Sequence, residues 1–435
     1  MRYRPLSAQT YTNHRKKFSH TLPALSMAIF NSNDVLPTNA DGTMPFRQNN
    51  DLLYLCGADQ EESILVIFPD CTNPEHREIL FLKETNSEIA IWEGEKLSKD
   101  KATALTGIKT IRWLQDFEPL LKALMAEAET VFLNSNEHTR RSAETGTRDE
   151  RFAKKLMAEY PLHNYERAAP AMHRLRAVKS KEEIERMQEA CKITEAGFRR
   201  VLKFIRPGVK EYEIEAEYMH EFLRRRSRGF AYSPIVASGF NACVLHYVEN
   251  NAECRDGDLI LMDVGAEYAN YASDMSRTVP VNGKFSPRQR EVYDAVLRVM
   301  KASMELLRPG VMLAAYHKQV GKLMEKELVE LGLLTAEEVK NQDPASPAYK
   351  KYFMHGTSHF IGLDVHDVGL WHEPIQAGNV FTVEPGIYIR EENLGIRLEN
   401  DILITEDGYI DLMADIPLEA DEIEASMAES EAVTS

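Results

Sequence analysis

Two aspartates stand inside a stretch of chain that otherwise has the pattern of a buried β-hairpin. The segment LILMDVGAEYANYASDMSRTV (Leu259–Val279) begins as a continuous apolar strand, yet it places Asp263 in that strand and Asp274 beyond a predicted turn. An ionised carboxylate is costly to bury unless it is paired or binds a metal. The segment therefore predicts a site whose partners compensate two buried carboxylates.

The position of the turn decides whether these carboxylates face each other. If the turn is centred between Ala269 and Asn270, Asp263 lies opposite Ser276, and Asp274 is a diagonal neighbour on the same face, roughly 7–8 Å away. A shift of one residue would move every side chain to the other face. The prediction therefore requires an even loop.

A second predicted hairpin, residues 379–405, repeats this arrangement. NVFTVEPGIYIR carries Glu384 and GIRLENDILIT carries Glu399, and a turn near Glu391–Glu392 would put both on one face. Arg397 points to that face as well and would offset part of the charge. Each hairpin thus contributes two carboxylates to one concave face.

Four carboxylates in one pocket repel each other, so that some would stay protonated in the absence of cations. Two divalent cations would balance them, four positive charges against four negative. Oxygen ligands favour Mn, Fe or Co over a thiolate zinc site, and the five cysteines do not cluster in the sequence.

Histidines offer a further type of ligand. The segment MHGTSHFIGLDVHDVG (354–369) contains His355, His359 and His366, and His246 precedes the first hairpin. His355 and His359 have the i, i+4 spacing of H-E-x-x-H, but residues 356–358 are poor helix formers and the glutamate is missing, which excludes a zincin helix. Ordinary polar loop histidines remain the alternative.

The elements around these motifs are repeated. RPGV occurs at 206–209 and at 308–311, each time after an amphipathic helix and before a second helix and an apolar hairpin. The first helix of each copy begins with a capping pattern, Ser180 with Glu183 and Ser286 with Gln289. Residues 175–415 therefore predict two helix–helix–hairpin units that form one antiparallel sheet covered by helices, an α+β arrangement.

The first 170 residues predict a separate α/β layer domain. Short apolar strands are expected at 26–30, 63–68, 78–82 and 130–134, a helix at 116–129, and a loop at 135–150. We place the domain boundary between residues 172 and 173.

The second domain resembles the pita-bread metallopeptidases, which include methionine aminopeptidase, prolidase, aminopeptidase P and the metal-free creatinase. The ligand set of that family matches Asp263, Asp274, His359, Glu384 and Glu399. HYVENN, SDMSRTVPVNGKFSPRQREVYDAVL and FMHGTSHFIGLDVHDVG are similar to the aminopeptidase P group, and PFRQNNDLLYLCG (45–57) resembles its creatinase-like N-terminal domain. The connection between Glu384 and Glu399 is shorter than in that group.

This resemblance implies a hydrolase that removes the first residue of peptides with proline second, by a hydroxide activated at two metals, Mn²⁺ before Co²⁺, Fe²⁺ or Zn²⁺. Glu384 would also handle the proton of the water, and three histidines would act on the substrate: His246, His355 and His366. Tyr388 and Arg397 would support the substrate site. Trp92 resembles a tryptophan that reaches the active site of a neighbouring subunit in a homodimer or homotetramer, although a plain core or surface role is equally compatible.

Two alternatives follow from the same family. Prolidase uses the same metal site but cleaves only Xaa-Pro dipeptides, and some pita-bread domains have lost their ligands and bind proteins instead. The five retained ligand types argue against a non-catalytic binding protein.

Composition excludes other classes of partner. The net charge of −16 disfavours nucleic acid. The odd, scattered cysteines argue against a disulfide framework, and no segment has the 18 or more apolar residues of a membrane span, so we expect a cytoplasmic protein. Residues 415–435 carry seven acidic side chains and no Lys or Arg, which predicts a solvated acidic terminus.

Overall fold

A computed structural model describes residues 3–141 and 144–434. The chain divides into two compact units. One comprises Pro5–Arg176, and the other comprises the described chain from Ala177 onward together with Tyr3 and Arg4.

The amino-terminal unit is built on a six-stranded mixed sheet. Its strands are β1 (Ser26–Asn31), β2 (Ile64–Ile67), β3 (Glu78–Leu82), β4 (Thr110–Trp113), β5 (Thr130–Leu133) and β6 (Asn164–Arg167). Their order across the sheet is β4-β3-β2-β1-β5-β6. The four predicted strands are confirmed. The two edge strands, β4 and β6, were missed because they are only partly apolar and partly exposed.

Seven helices accompany this sheet: α1 (Ala8–Ser19), α2 (Asn50–Cys56), α3 (Ser87–Glu93), α4 (Lys99–Thr106), α5 (Phe117–Glu127), α6 (Arg148–Glu159) and α7 (Ala169–Ala177). The predicted helix at 116–129 is α5. The predicted loop at 135–150 was too long, because α6 already begins after Thr147. Thr147 and Glu150 form a capping box there, and the sparse apolar residues of α6 concealed its start.

The carboxy-terminal unit contains the predicted repeat. Its helices are α8 (Lys181–Leu202), α9 (Glu211–Arg224), α10 (Pro287–Leu306), α11 (Leu313–Glu330), α12 (Ala336–Asn341) and α13 (Ala420–Thr434). At the start of α8 the Glu183 carboxylate accepts the Ser180 N–H at 2.7 Å. Ser286 and Gln289 form the capping box of α10. The two long helix pairs, α8–α9 and α10–α11, therefore begin as predicted.

Ten strands follow the helix pairs: β7 (Ile235–Ser238), β8 (Leu259–Val264), β9 (Glu267–Tyr268), β10 (Tyr271–Ala272), β11 (Met275–Pro280), β12 (Val380–Val383), β13 (Gly386–Ile389), β14 (Leu394–Arg397), β15 (Asn400–Ile404) and β16 (Tyr409–Asp411). They form two three-stranded ladders, β11-β8-β7 and β12-β15-β16, and two ribbons, β9–β10 and β13–β14. The hairpins of the two repeats meet where the Glu399 N–H donates to the Ser276 carbonyl at 3.0 Å.

Both predicted registers are confirmed. Ser276 pairs with Asp263 across β8 and β11. The connecting turn places Ala269 and Asn270 at φ 55° and 68°, the backbone of a two-residue turn that suits the right-handed twist of a hairpin. In the second repeat Gly386 pairs with Arg397, which centres that turn between residues 391 and 392. All four predicted carboxylates therefore keep the face assigned from sequence.

The acidic terminus is more ordered than its charge suggested. Ile423 and Met427 of α13 join the apolar core of the unit, and Glu424 accepts the Phe285 N–H at 2.9 Å. The prediction of a solvated terminus was wrong for Ile423 and Met427, because apolar residues spaced four apart give the acidic helix a buried side. Among the described residues, no helix has both the length and the apolar content of a membrane span.

Close backbone approach between β8 and β11 depends on Gly265. A Cβ atom at this position would lie 1.7 Å from the Ser273 carbonyl oxygen, a contact with backbone that no side-chain rotation can relieve. We expect Gly265→Ala to lower the free energy of unfolding by roughly 1–3 kcal/mol, the range for overpacked sites. Chemical denaturation of the metal-free protein measures this change.

Gly408→Ala is the control for that experiment, since its added methyl would make only an ordinary van der Waals contact, 3.9 Å from Arg308 Nη1. Equal stability of Gly265→Ala and Gly408→Ala would contradict the proposed constraint.

Candidate metal centre

The five predicted ligands come together in the carboxy-terminal unit. Asp263 lies in β8, Asp274 just before β11, Glu384 just after β12, Glu399 between β14 and β15, and His359 on the loop ahead of β12. His359 Nε2 lies 3.5 Å from Asp274 Oδ2 and 3.8 Å from Glu384 Oε1. Ligand atoms of Asp274, His359 and Glu399, all buried, lie within 4.8 Å of one another and could hold a cation between them.

A hydrogen bond to the backbone orients the His359 ring so that its other nitrogen could bind a metal. Its Nδ1 lies 2.9 Å from the Phe360 carbonyl oxygen, so that this nitrogen carries a proton and donates. Nε2 is then directed toward the carboxylates. A backbone acceptor that fixes the tautomer in this way is the usual support of a histidine ligand.

The carboxylates do not form a stable ionised group by themselves. Burial, followed by the neighbouring carboxylates, raises the pKa of Glu399 well above its usual range. Burial likewise raises the pKa of Asp274, and it raises that of Glu384 to about 7 although His359 and Arg397 oppose the shift. Without cations the cluster therefore retains protons at neutral pH, and its oxygen-rich donors fit divalent ions.

The pKa of His359 is also raised, but by its partners and not by burial. Burial alone would lower its pKa, but the hydrogen bond to Asp274 and the charge of Glu384 outweigh burial and raise the pKa to about 9. In the metal-free protein the imidazole is therefore protonated at neutral pH. A metal ligand must be the neutral imidazole, so that metal binding would displace this proton.

Arg397 offsets one of the carboxylates, as predicted. Its Nη2 donates to Asp263 Oδ2 at 2.7 Å, and its Nε donates to Ser276 Oγ at 2.8 Å. Ser276 Oγ in turn donates to Glu399 Oε2 at 2.8 Å. The guanidinium therefore stabilises one carboxylate from each hairpin, Asp263 directly and Glu399 through the Ser276 hydroxyl group.

A hydrogen-bonded chain connects Arg397 to His355, one of the histidines predicted to act on the substrate. Arg397 Nη1 donates to Tyr388 Oη at 2.9 Å, and the Tyr388 hydroxyl lies 2.8 Å from His355 Nε2. His355 Nδ1 lies 2.8 Å from the Gly356 carbonyl oxygen and 3.6 Å from Glu384 Oε2. Burial and the Arg397 charge lower the pKa of His355 to about 4, so that this imidazole is neutral at pH 7.

The other predicted site residues differ in their surroundings. The His366 ring packs edge-on against His359 with centroids 4.4 Å apart. His246 is exposed in the turn after residues 239–243, and its electrostatic effect contributes to the lowered pKa of His355. Trp92 lies in α3 of the amino-terminal unit, with 90% of its surface exposed.

Sequence reasoning missed two residues that contact the predicted ligands. The Tyr232 hydroxyl lies 2.6 Å from both Asp263 Oδ1 and Asp274 Oδ1. Asp401 Oδ2 accepts the Asp274 N–H at 3.1 Å. Tyr232 lies in a loop without periodicity and offered no signal, whereas Asp401 shares the strand face of Glu399 and could have been found from the alternation of β15.

Family profiles match both parts of the chain. The profile of metallopeptidase family M24 matches residues 185–406, and that of the aminopeptidase P N-terminal domain matches residues 11–132. The Xaa-Pro aminopeptidase of Escherichia coli is 35% identical over 97% of this chain and 98% of its own length.

Solved structures give the same result. Zn-substituted E. coli aminopeptidase P in complex with product superposes with a TM-score of 0.88 at 34% identity, covering 98% of this chain and 99% of that one. Aminopeptidase PepP of Pseudomonas aeruginosa gives 0.90 at 30% identity with the same coverage. Both domains and nearly the full length are matched, and the chain therefore belongs to the aminopeptidase P family of M24 metallopeptidases.

Proposed function

We propose that this enzyme removes the N-terminal residue from peptides whose second residue is proline, in a metal-dependent hydrolysis. The observation that carries the proposal is the convergence of Asp263, Asp274, His359, Glu384 and Glu399 in one cluster, three of them buried and two partly buried. Full-length similarity to Xaa-Pro aminopeptidases supports the choice of substrate.

We infer that these five residues hold two divalent cations, Mn²⁺ before Co²⁺, Fe²⁺ or Zn²⁺. The elevated pKa values of Asp274, Glu384 and Glu399 support this inference, because cations would take the place of the retained protons. When bound, the two ions supply an activated water and polarise the carbonyl of the scissile bond.

Glu384 is the proposed proton carrier. Its side chain keeps 20% of its surface exposed, compared with 7% for Asp274, and its Oε2 faces His355 Nδ1 at 3.6 Å. A carboxylate at the open side of the cluster can take the proton of the nucleophile and pass it toward the leaving nitrogen.

The histidines and their supports are proposed to act on the substrate. His355 is held by Tyr388 and through it by Arg397. We assign the scissile carbonyl, its developing oxyanion and the leaving proline nitrogen to His355 together with His246 and His366. An apolar slot beside these imidazoles would select the ring, since burying three methylenes contributes on the order of 2 kcal/mol.

We further propose a cytoplasmic homodimer or homotetramer. The five cysteines are free, which suits a reducing compartment. Trp92 and its neighbour Ile91 are 90% and 79% exposed. Adjacent apolar side chains of this size favour a contact with a second subunit, in which Trp92 would reach the active site of that subunit.

Removing one ligand should be distinguishable from removing one substrate-side group. We expect Asp274→Ala to lose bound metal and activity together, because Asp274 belongs to the cluster. His355→Ala should keep close to two metals per chain and lose turnover by about 10²-fold or more, the range for a positioned acid–base or polar group. Metal analysis by mass spectrometry and steady-state kinetics measure the two effects.

Two results would contradict these assignments. A fully active Asp274→Ala protein would remove that residue from the metal centre. Loss of metal in His355→Ala would make this histidine a ligand.

A series of peptides tests the substrate. We expect single residues to be released from Xaa-Pro-Xaa and longer peptides, with much slower cleavage of Xaa-Ala-Xaa, because alanine leaves the space of the ring unfilled. Chromatography of the products with Mn²⁺, Co²⁺ or Zn²⁺ added separately gives the rates. Exclusive cleavage of Xaa-Pro dipeptides would identify a prolidase instead, and release of dipeptides would exclude an aminopeptidase.

A further inference from the structure

A second buried carboxylate centre lies outside the metal cluster. Glu211 is the first residue of α9 and its surface is fully buried. Five hydrogen bonds converge on its two oxygens. Oε1 accepts from Ser238 N–H at 2.7 Å, Ser238 Oγ at 2.7 Å and Asn241 Nδ2 at 3.3 Å, and Oε2 accepts from Tyr247 Oη at 2.8 Å and Ala252 N–H at 2.8 Å.

These donors bracket one segment of the chain, residues 238–252. The segment leaves β7 at Ser238, turns through residues 239–243, and then presents His246. His246 is exposed, whereas the next residue, Tyr247, is buried and bonded to Glu211. The backbone that carries His246 is therefore anchored by the carboxylate through the adjacent side chain.

The anchor is also joined to the active site by packing. Tyr247 belongs to a small apolar cluster that includes Tyr388, whose hydroxyl contacts His355. A shift of Tyr247 would consequently move His246 relative to His355. Even a small displacement of a group that acts on the substrate would slow the reaction, because a shift of 1 Å can lower the rate about 10²-fold.

A carboxylate is required for this arrangement. Within the described chain no Lys, Arg or His side chain forms a salt bridge with Glu211, so that its charge is met by N–H and O–H donors and by the start of a helix. A glutamine could still accept from Ser238 through its oxygen. Its NH₂ group would then face the Ala252 N–H, where no acceptor would remain.

We propose that Glu211 is a positioning residue for His246: it holds segment 238–252 so that this histidine meets the substrate. The inference rests on the proposed role of His246 at the substrate. Glu211 itself contacts neither the metal cluster nor a reacting atom.

A double-mutant cycle tests the proposal on the full-length, metal-loaded enzyme. We expect Glu211→Gln to lower kcat/KM for an Xaa-Pro-Xaa peptide by about tenfold to hundredfold with unchanged metal content. In the His246→Ala background the same substitution should change kcat/KM less than about twofold, since coupled residues are not additive. Tyr247→Phe, which removes a single bond to Glu211, should act in the same direction and serves if Glu211→Gln does not fold.

Glu221→Gln is the matched control, because Glu221 is a buried carboxylate on the same helix that bonds Arg224 and Arg225 instead of the His246 segment. It should leave kcat/KM unchanged. Equal losses from Glu211→Gln, or from Tyr247→Phe where that variant is used, in the presence and absence of His246 would overturn the positioning role. An unchanged kcat/KM in His246→Ala alone would instead overturn the proposed role of the histidine.

Discussion

The structure of the carboxy-terminal unit depends on the cost of burying several carboxylates in one place. Asp263, Asp274, Glu384 and Glu399 converge on a single face, and one guanidinium, that of Arg397, lies among them. This guanidinium and the protonated imidazole of His359 cannot balance four carboxylates, and burial raises the pKa of three of them. Bound divalent ions would balance the excess negative charge of the carboxylates. The same ions would provide the Lewis acidity that a metal-dependent aminopeptidase requires.

The repeat explains how one chain produces this concentration of charge. Each hairpin contributes two carboxylates, and each register is set by an even loop. Two hydroxyl groups outside the five proposed ligands connect the site: Tyr232 bonds to both aspartates of the first hairpin, and Ser276 joins Arg397 of the second hairpin to Glu399. Residues of both repeats therefore form the centre, and one repeat alone would supply only part of it.

Sequence reasoning placed the four carboxylates on shared faces because strand alternation has a fixed period, once an even loop was assumed. His359 was predicted from the family resemblance. The starts of α8 and α10 could be predicted from their capping residues. Sequence reasoning could not reach Tyr232 or Glu211, whose partners are distant in sequence and whose local segments have no period. The edge strands β4 and β6 were missed for a related reason, since partly exposed strands lack the continuous apolar signal of the buried ones.

Calorimetric titration of Mn²⁺ into the metal-free protein, in buffers of different ionisation enthalpy, tests the exchange of protons for cations most directly. His359, with a pKa of about 9, and the carboxylates with raised pKa values hold protons at pH 7 until a metal displaces them. We therefore predict net proton release and an affinity that increases from pH 6 to pH 9. Binding without proton release and with an affinity independent of pH would contradict the account.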